Sequence, residues 1–242
     1  MASAKLTALL SFLSDIPRYR TEKPFYELRR PPAGFDYETA TEAELESLAK
    51  KDNLEFSEQD VPIGNIRGRE ANFRLETCGF EIVHHASRLT DRLMMSAEAI
   101  QAYKNETEEL LQKRLTGPST WRGLIPEIED NPLAVCDYRT VDNGDLIAGD
   151  RLIPTRIGEI YYVRHNRNQK WYWLEKMKPD EPFLMIMYDS DGGKGALLCP
   201  HISFQNPEAP ETAQERVSIE TRTIVITRRE EERLLSDHIS SC

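Results

Sequence analysis

Two runs near the C-terminus carry the residue types that could do chemistry. His201 lies in CPHISF, and fifteen positions later Arg216 opens RVSIETR, so that Arg216-Val217-Ser218 reads R-x-S. On a strand, residues two apart share a face, which puts Arg216, Ser218, Glu220 and Arg222 on one side and Val217 and Ile219 on the other. An arginine fork grips a carboxylate with two hydrogen bonds, and a neighbouring hydroxyl adds a third. A histidine one strand earlier is the right type to hold a metal beside that carboxylate. The residues alone leave a second reading open, with His201 in a turn after Pro200 and the charges of RVSIETR paired across strands on a solvated sheet.

A metal centre needs more donors than His201. None of the five histidines opens an H-x-D or H-x-E: His84 reads H-H-A, His85 H-A-S, His165 H-N-R, and both His201 and His238 read H-I-S. His84 and His85 are adjacent, so on a strand only one of them can face a given site, and the expectation is one inward and one at the surface. Asp137 and Asp189 are nearby carboxylates in sequence. The four cysteines, Cys78, Cys136, Cys199 and Cys242, form no C-x-x-C pair and no zinc spacing, which fits a reduced, cytoplasmic chain.

Composition narrows the partners. The net charge of -10 opposes unspecific attraction to nucleic acid or anionic lipid. No run approaches the roughly 18 apolar residues of a membrane helix. KLTALLSFL has a faint look of a leader's apolar segment, but SDIPRYR follows it without a small-x-small site.

The elements that must position these residues are mostly strands. Residues 1 to 34 read as an N-terminal arm broken by Pro24, Pro31 and Pro32. ATEAELESLAKK reads as a short polar helix, and VPIGNI, ANFRL and FEIV as short β-like runs. The clearest helix spans Thr90 to Leu115, where Leu93, Met94, Ala97, Ile100, Tyr103, Leu110 and Leu111 recur at three- and four-residue steps. Six β-like runs follow it: LAVCDYRTV, GEIYYVRH, KWYWLEKM, PFLMIMYD, GALLCPHISF and RVSIETRTIVIT. Six such runs after one long helix suggest a mainly β chain with α, a sandwich or jelly roll with a helical buttress. The domain covers 35 to 227 and a polar tail covers 228 to 242. Trp121, Trp171, Tyr172 and Trp173 could line an apolar pocket or fill the core.

The stretches EKPF, IRGREANFRLETCGFEIVHHAS, TEELLQKRLTG, NPLAVCDYRTV, GEIYYV, KWYW, KMKPDEPFLMIMYDSDGG, PHISFQNP and RVSIETRTIV, in that order, resemble the fungal hydroxylase/desaturase family, often named after the cephem methoxylase P8 chain. The likeness runs from Leu6 to Thr227. It implies a 2-oxoglutarate/Fe(II) oxygenase-like oxidoreductase that hydroxylates or desaturates a small molecule in secondary-metabolite biosynthesis. It also implies that His201 is the distal iron ligand and that Arg216 and Ser218, with Arg222 as runner-up, hold the cosubstrate carboxylate. It assigns no catalytic acid or base.

The chain departs from the family at one place. Family members carry several tens of residues with an H-x-D pair between the helix ending in TG and the W-R segment, whereas here LLQKRLTGPST runs straight into WRGLIPEIEDNPLAV, near Thr120 and Trp121. The jelly roll is then incomplete and the iron site short of two ligands. Three readings follow: an oxidoreductase of the family, a non-catalytic binding or partner protein, and a truncated gene product with exposed sheet edges that associates into homo- or hetero-oligomers.

Overall fold

The computed structural model describes residues 5–28, 33–35, 51–90, 96–112, 119–153, 156–190 and 195–226. The polar helix expected over ATEAELESLAKK, apart from Lys51, and the polar tail lie outside them. Two compact units interleave along the chain.

The first unit combines Met1–Gly68, Asp130–Glu175 and Pro200–Ala213. Its larger sheet runs β1 (Lys5–Leu13), β4 (Phe56–Asn65), β10 (Trp171–Trp173), β7 (Leu133–Cys136), β12 (His201–Ser203). Strand β1 is the segment expected as part of an arm. Leu6, Ala8, Leu10 and Phe12 are buried while Thr7, Leu9 and Ser11 are exposed, the period-two alternation of a half-buried strand. It pairs antiparallel with β4 from Lys5↔Gly64 to Leu13↔Phe56, which places its apolar side chains beside Val61 and Ile63. Ala134, Cys136, Trp171, Trp173 and Phe204 complete that core, and Ile202 packs against it. A second sheet of this unit runs β3 (Lys51–Asp52), β2 (Phe25–Glu27), β8 (Leu146–Ile153), β9 (Arg156–Val163).

The second unit combines Arg69–Glu129, Lys176–Cys199 and Gln214–Cys242. Its sheet runs β13 (Ser218–Thr221), β6 (Ser119–Gly123), β11 (Phe183–Met185), β5 (Phe80–Ile82). ANFRL, expected as a strand, instead leads into the short helix α1 (Leu75–Cys78), because Leu75 and Cys78 bury at helical spacing and Gly79 ends the turn at φ +85°. The long helix α2 covers Ala97–Gln112 rather than beginning at Thr90. Its cap is Ser96, whose Oγ accepts from the Ala99 N–H at 3.1 Å. Tyr103, Thr107 and Leu111 form its buried stripe.

Among the described residues eight strands follow α2, not six. The two missed are β6 and β8. All five residues of β6 are buried, so STWRG shows no alternation to read, and β8 is half-buried almost throughout. No helix among the described residues is long and apolar enough to cross a membrane.

Candidate functional site

In the second unit, β13 pairs antiparallel with β6 in the register Ser218↔Gly123, Ile219↔Arg122, Glu220↔Trp121, Thr221↔Thr120. The Leu124 N–H donates to the Val217 carbonyl at 2.8 Å and carries the ladder back toward Arg216. Facing residues share a side of the sheet, so the pairing sorts two faces. One carries Ile219, Thr221, Thr120 and Arg122, and it meets α2 through Arg122 Nε, which donates to Tyr103 Oη at 2.9 Å. The other carries Ser218, Glu220, Trp121 and Gly123. On this second face the Arg216 guanidinium sits 5.9 Å from the centre of the Trp121 ring, a cation–π contact with a buried indole. Arg216 and Ser218 therefore lie on one face, half-buried, as strand alternation required. Arg222 is exposed and its Nε donates to Glu220 Oε1 at 2.8 Å, a pair within the same run rather than across strands.

His201 belongs to the first unit. It opens the edge strand β12, opposite Val135, and the Cys136 N–H donates to the Pro200 carbonyl at 2.8 Å just before it. His201 and Ile202 border a cavity of about 170 Å³ lined chiefly by aromatic rings, those of Phe12, Phe56, Tyr161, Tyr162 and Trp171. Of the aromatic residues singled out in the sequence, Trp171 thus both fills the core and lines a cavity, while Trp173 is core, its ring edge-on to Phe204 at 5.7 Å.

The other candidate donors are engaged elsewhere. Asp137 is buried and takes both arms of Arg139, at 2.9 Å from Nε and 2.7 Å from Nη2. Asp189 and His84 are exposed, and His165 packs edge-on to Phe12 at 5.1 Å. His85 turns inward to Arg122. His238 lies outside the described residues. Among the described residues no group of three or more His, Cys, Asp or Glu side chains could hold a metal ion. The donor set around His201 does not fit an iron centre: one imidazole cannot supply the several ligands in defined geometry that a first-row metal requires. Burial pushes the Cys136 thiol up to about 12, which removes it as a thiolate donor near neutral pH.

A family profile described as an oxidoreductase/YMDC permease-like domain matches residues 25–120 and 101–226. The hydroxylase/desaturase asaB of Aspergillus flavus is 31% identical over 182 residues, covering 68% of this chain and 79% of that protein. The chain belongs to the fungal hydroxylase/desaturase family. The aspirochlorine biosynthesis protein N of Aspergillus oryzae is another relative, 30% identical over 58% of this chain and 65% of its own length. The solved structure of the iron and alpha-ketoglutarate-dependent endoperoxidase NvfI superposes with a TM-score of 0.71 over 89% of this chain and 96% of that one, at 20% identity. That likeness gives the fold as the jelly roll of the 2-oxoglutarate/Fe(II) oxygenases, in agreement with the sequence. Hydroxylase/desaturases are oxidoreductases of fungal secondary metabolism, and the family acts on small molecules.

Sequence reasoning missed Arg122 and Glu106 on the opposite face of this sheet, the pairing of Arg122 with His85 and Tyr103, and the rings of Phe56, Tyr161 and Tyr162 around the cavity. Arg122 sits inside WRG, which reads as a junction in the sequence. An arginine between Trp and Gly in a run with no polar alternation was the one available signal.

Proposed function

We propose that this hydroxylase/desaturase binds 2-oxoglutarate, or a dicarboxylate of the same size, through Arg216 and Ser218, and serves in the cytoplasm as a small-molecule-binding or partner subunit of secondary-metabolite biosynthesis. Its own side chains leave the iron centre incomplete. The single observation that carries the reading is the cation–π contact of Arg216 with buried Trp121, on the face of β13 and β6 opposite the one that meets α2 through Arg122. A cation–π contact of this kind restrains a guanidinium, the group whose planar fork suits a carboxylate. Ser218, two residues on, offers a hydroxyl on the same face. Arg222 is the second cation of that face, with its charge partly spent on Glu220.

The sequence supports the metal half of the reading through the missing H-x-D, since His201 alone stands as an iron ligand. The family profile matches in two segments that meet within residues 101–120, the same stretch in which the helix ending in TG runs directly into STWRG. The small molecule is assigned to the aromatic cavity bordered by His201, whose rings suit a flat, apolar compound. Homo- or hetero-oligomer formation is the route by which such a chain would act alongside a catalytic partner.

Calorimetric titration of 2-oxoglutarate into metal-free protein tests the anchor. Weak binding by the wild type that disappears in Arg216→Ala supports it. Equal binding by both, with loss in Arg222→Ala, moves the anchor to Arg222, and binding indifferent to either substitution removes the site.

A further inference from the structure

Arg122 is 1% exposed, one residue from the Trp121 ring on which Arg216 rests. A guanidinium cannot shed its charge in a protein and only donates hydrogen bonds, so each acceptor around it is needed. Its Nε donates to Tyr103 Oη at 2.9 Å, and its Nη1 to the His85 carbonyl at 2.7 Å and to the Pro179 carbonyl. Its Nη2 lies 2.8 Å from His85 Nδ1. Because Nη2 has only protons to offer, Nδ1 must present a bare lone pair. His85 is therefore neutral, with its proton on Nε2, the nitrogen 3.4 Å from Glu106 Oε1. The second carboxylate oxygen of Glu106 accepts from Ser87 Oγ at 3.0 Å. Among the described residues no carboxylate touches Arg122 directly, and its charge reaches Glu106 only through the imidazole.

We infer that His85 is a positioning residue that holds β6 beneath Arg216 only while its imidazole is neutral, so that acid weakens carboxylate binding at Arg216. The inference rests on the reading of Arg216 as the anchor. Protonating His85 places an N–H where Arg122 needs an acceptor and sets two cations 2.8 Å apart at a part-buried site. The gain on the other side is smaller, since the Glu106 contact is longer, at 3.4 Å, and the Glu106 side chain is 22% exposed and screened by water. From α2, Tyr103 and Glu106 face this pair, and Tyr103 serves Arg122 as an acceptor. The turn ahead of β11 meets His85 through the Asp180 carbonyl, which accepts from the His85 N–H at 2.8 Å, and the neighbouring Glu181 carboxylate accepts from the Lys178 N–H at 2.9 Å. Repulsion from Arg122 at 2.8 Å opposes the proton more strongly than Glu106 favours it at 3.4 Å. With all five β6 residues buried, Arg122 cannot withdraw without shifting the strand that carries Trp121 and pairs with β13.

The test is 2-oxoglutarate affinity at pH 7.5 and 5.5 for the wild type, His85→Asn and Arg216→Ala. Both ligand carboxylates stay ionised across that window, which spans the ordinary imidazole range near 6.5. Asn keeps an acceptor at the δ position and cannot titrate. The expected result is a loss of about tenfold in wild-type affinity at the lower pH and a flat profile for His85→Asn. Equal slopes in the two proteins overturn the inference while leaving the anchor standing. If the wild type binds at neither pH the anchor reading fails, and the positioning claim falls with it. Should His85→Asn not fold, histidine nitrogen NMR of the wild type decides: a proton on Nδ1 at pH 7.5 overturns the inference, and a bare Nδ1 supports it.

Discussion

Arg216 and Cys136 show how neighbours set what a side chain can do. Arg216 gains its bearing from the indole beside it, through a cation–π contact. Cys136 is the opposite case. It is fully buried in the first unit's core, and desolvation of the thiolate, ahead of all other influences, raises its pKa from an ordinary value of 9.0 to about 12. Two consequences follow from the sign. The folded chain keeps the thiol protonated, so a thiol reagent at pH 8 should label Cys136 only after denaturant is added, and rapid labelling of native protein would contradict this burial. Because the folded value lies above the unfolded one, the thiol's contribution to stability is intact below about pH 8.5 and is lost as pH rises from there toward 12. Denaturant midpoints measured from pH 8 to 11 should fall, and Cys136→Ala should fall less steeply.

At the scale of elements, two short segments decide how the sheets are held. Gly79 closes α1 with φ +85°, and a Cβ there would stand 2.5 Å from the Leu198 carbonyl oxygen. Both the left-handed backbone and the approach of another chain segment require glycine. Gly79→Ala should cost about 2 kcal/mol, read as a lowered denaturant midpoint. Strand β1 buries Leu10 to 1% between β4 and the aromatic core. Leu10→Ala should destabilise the chain by about 3 kcal/mol, whereas a loosely laid arm would give a change near zero. The alternation of KLTALLSFL is plain in its residue order, but its likeness to a leader's apolar segment and its place ahead of a proline-rich stretch hid its role as a strand. The opposite holds for β6, whose wholly buried STWRG offers no periodicity, so the strand that supports Arg216 could be found only through its partners.

For the whole molecule, the sequence told most about ordered motifs and least about pairing. The mainly β architecture after one long helix and the family were legible, because strand runs, turn residues and motif order are local properties. The common face of Arg216 and Ser218 was legible for the same reason, since it follows from alternation alone. The Arg122–His85–Glu106 arrangement was not, because it joins β6 to residues nineteen and more positions away, and nothing local to WRG announces those partners. The absence of H-x-D is a statement about residue order alone, and the proposed carboxylate site at Arg216 does not depend on it. Anaerobic equilibrium dialysis of the full chain against Fe(II) and labelled 2-oxoglutarate together measures both at once. The account predicts 2-oxoglutarate retained in an Arg216-dependent manner with iron far below one per chain. One iron per chain, lost on His201→Ala, would contradict it.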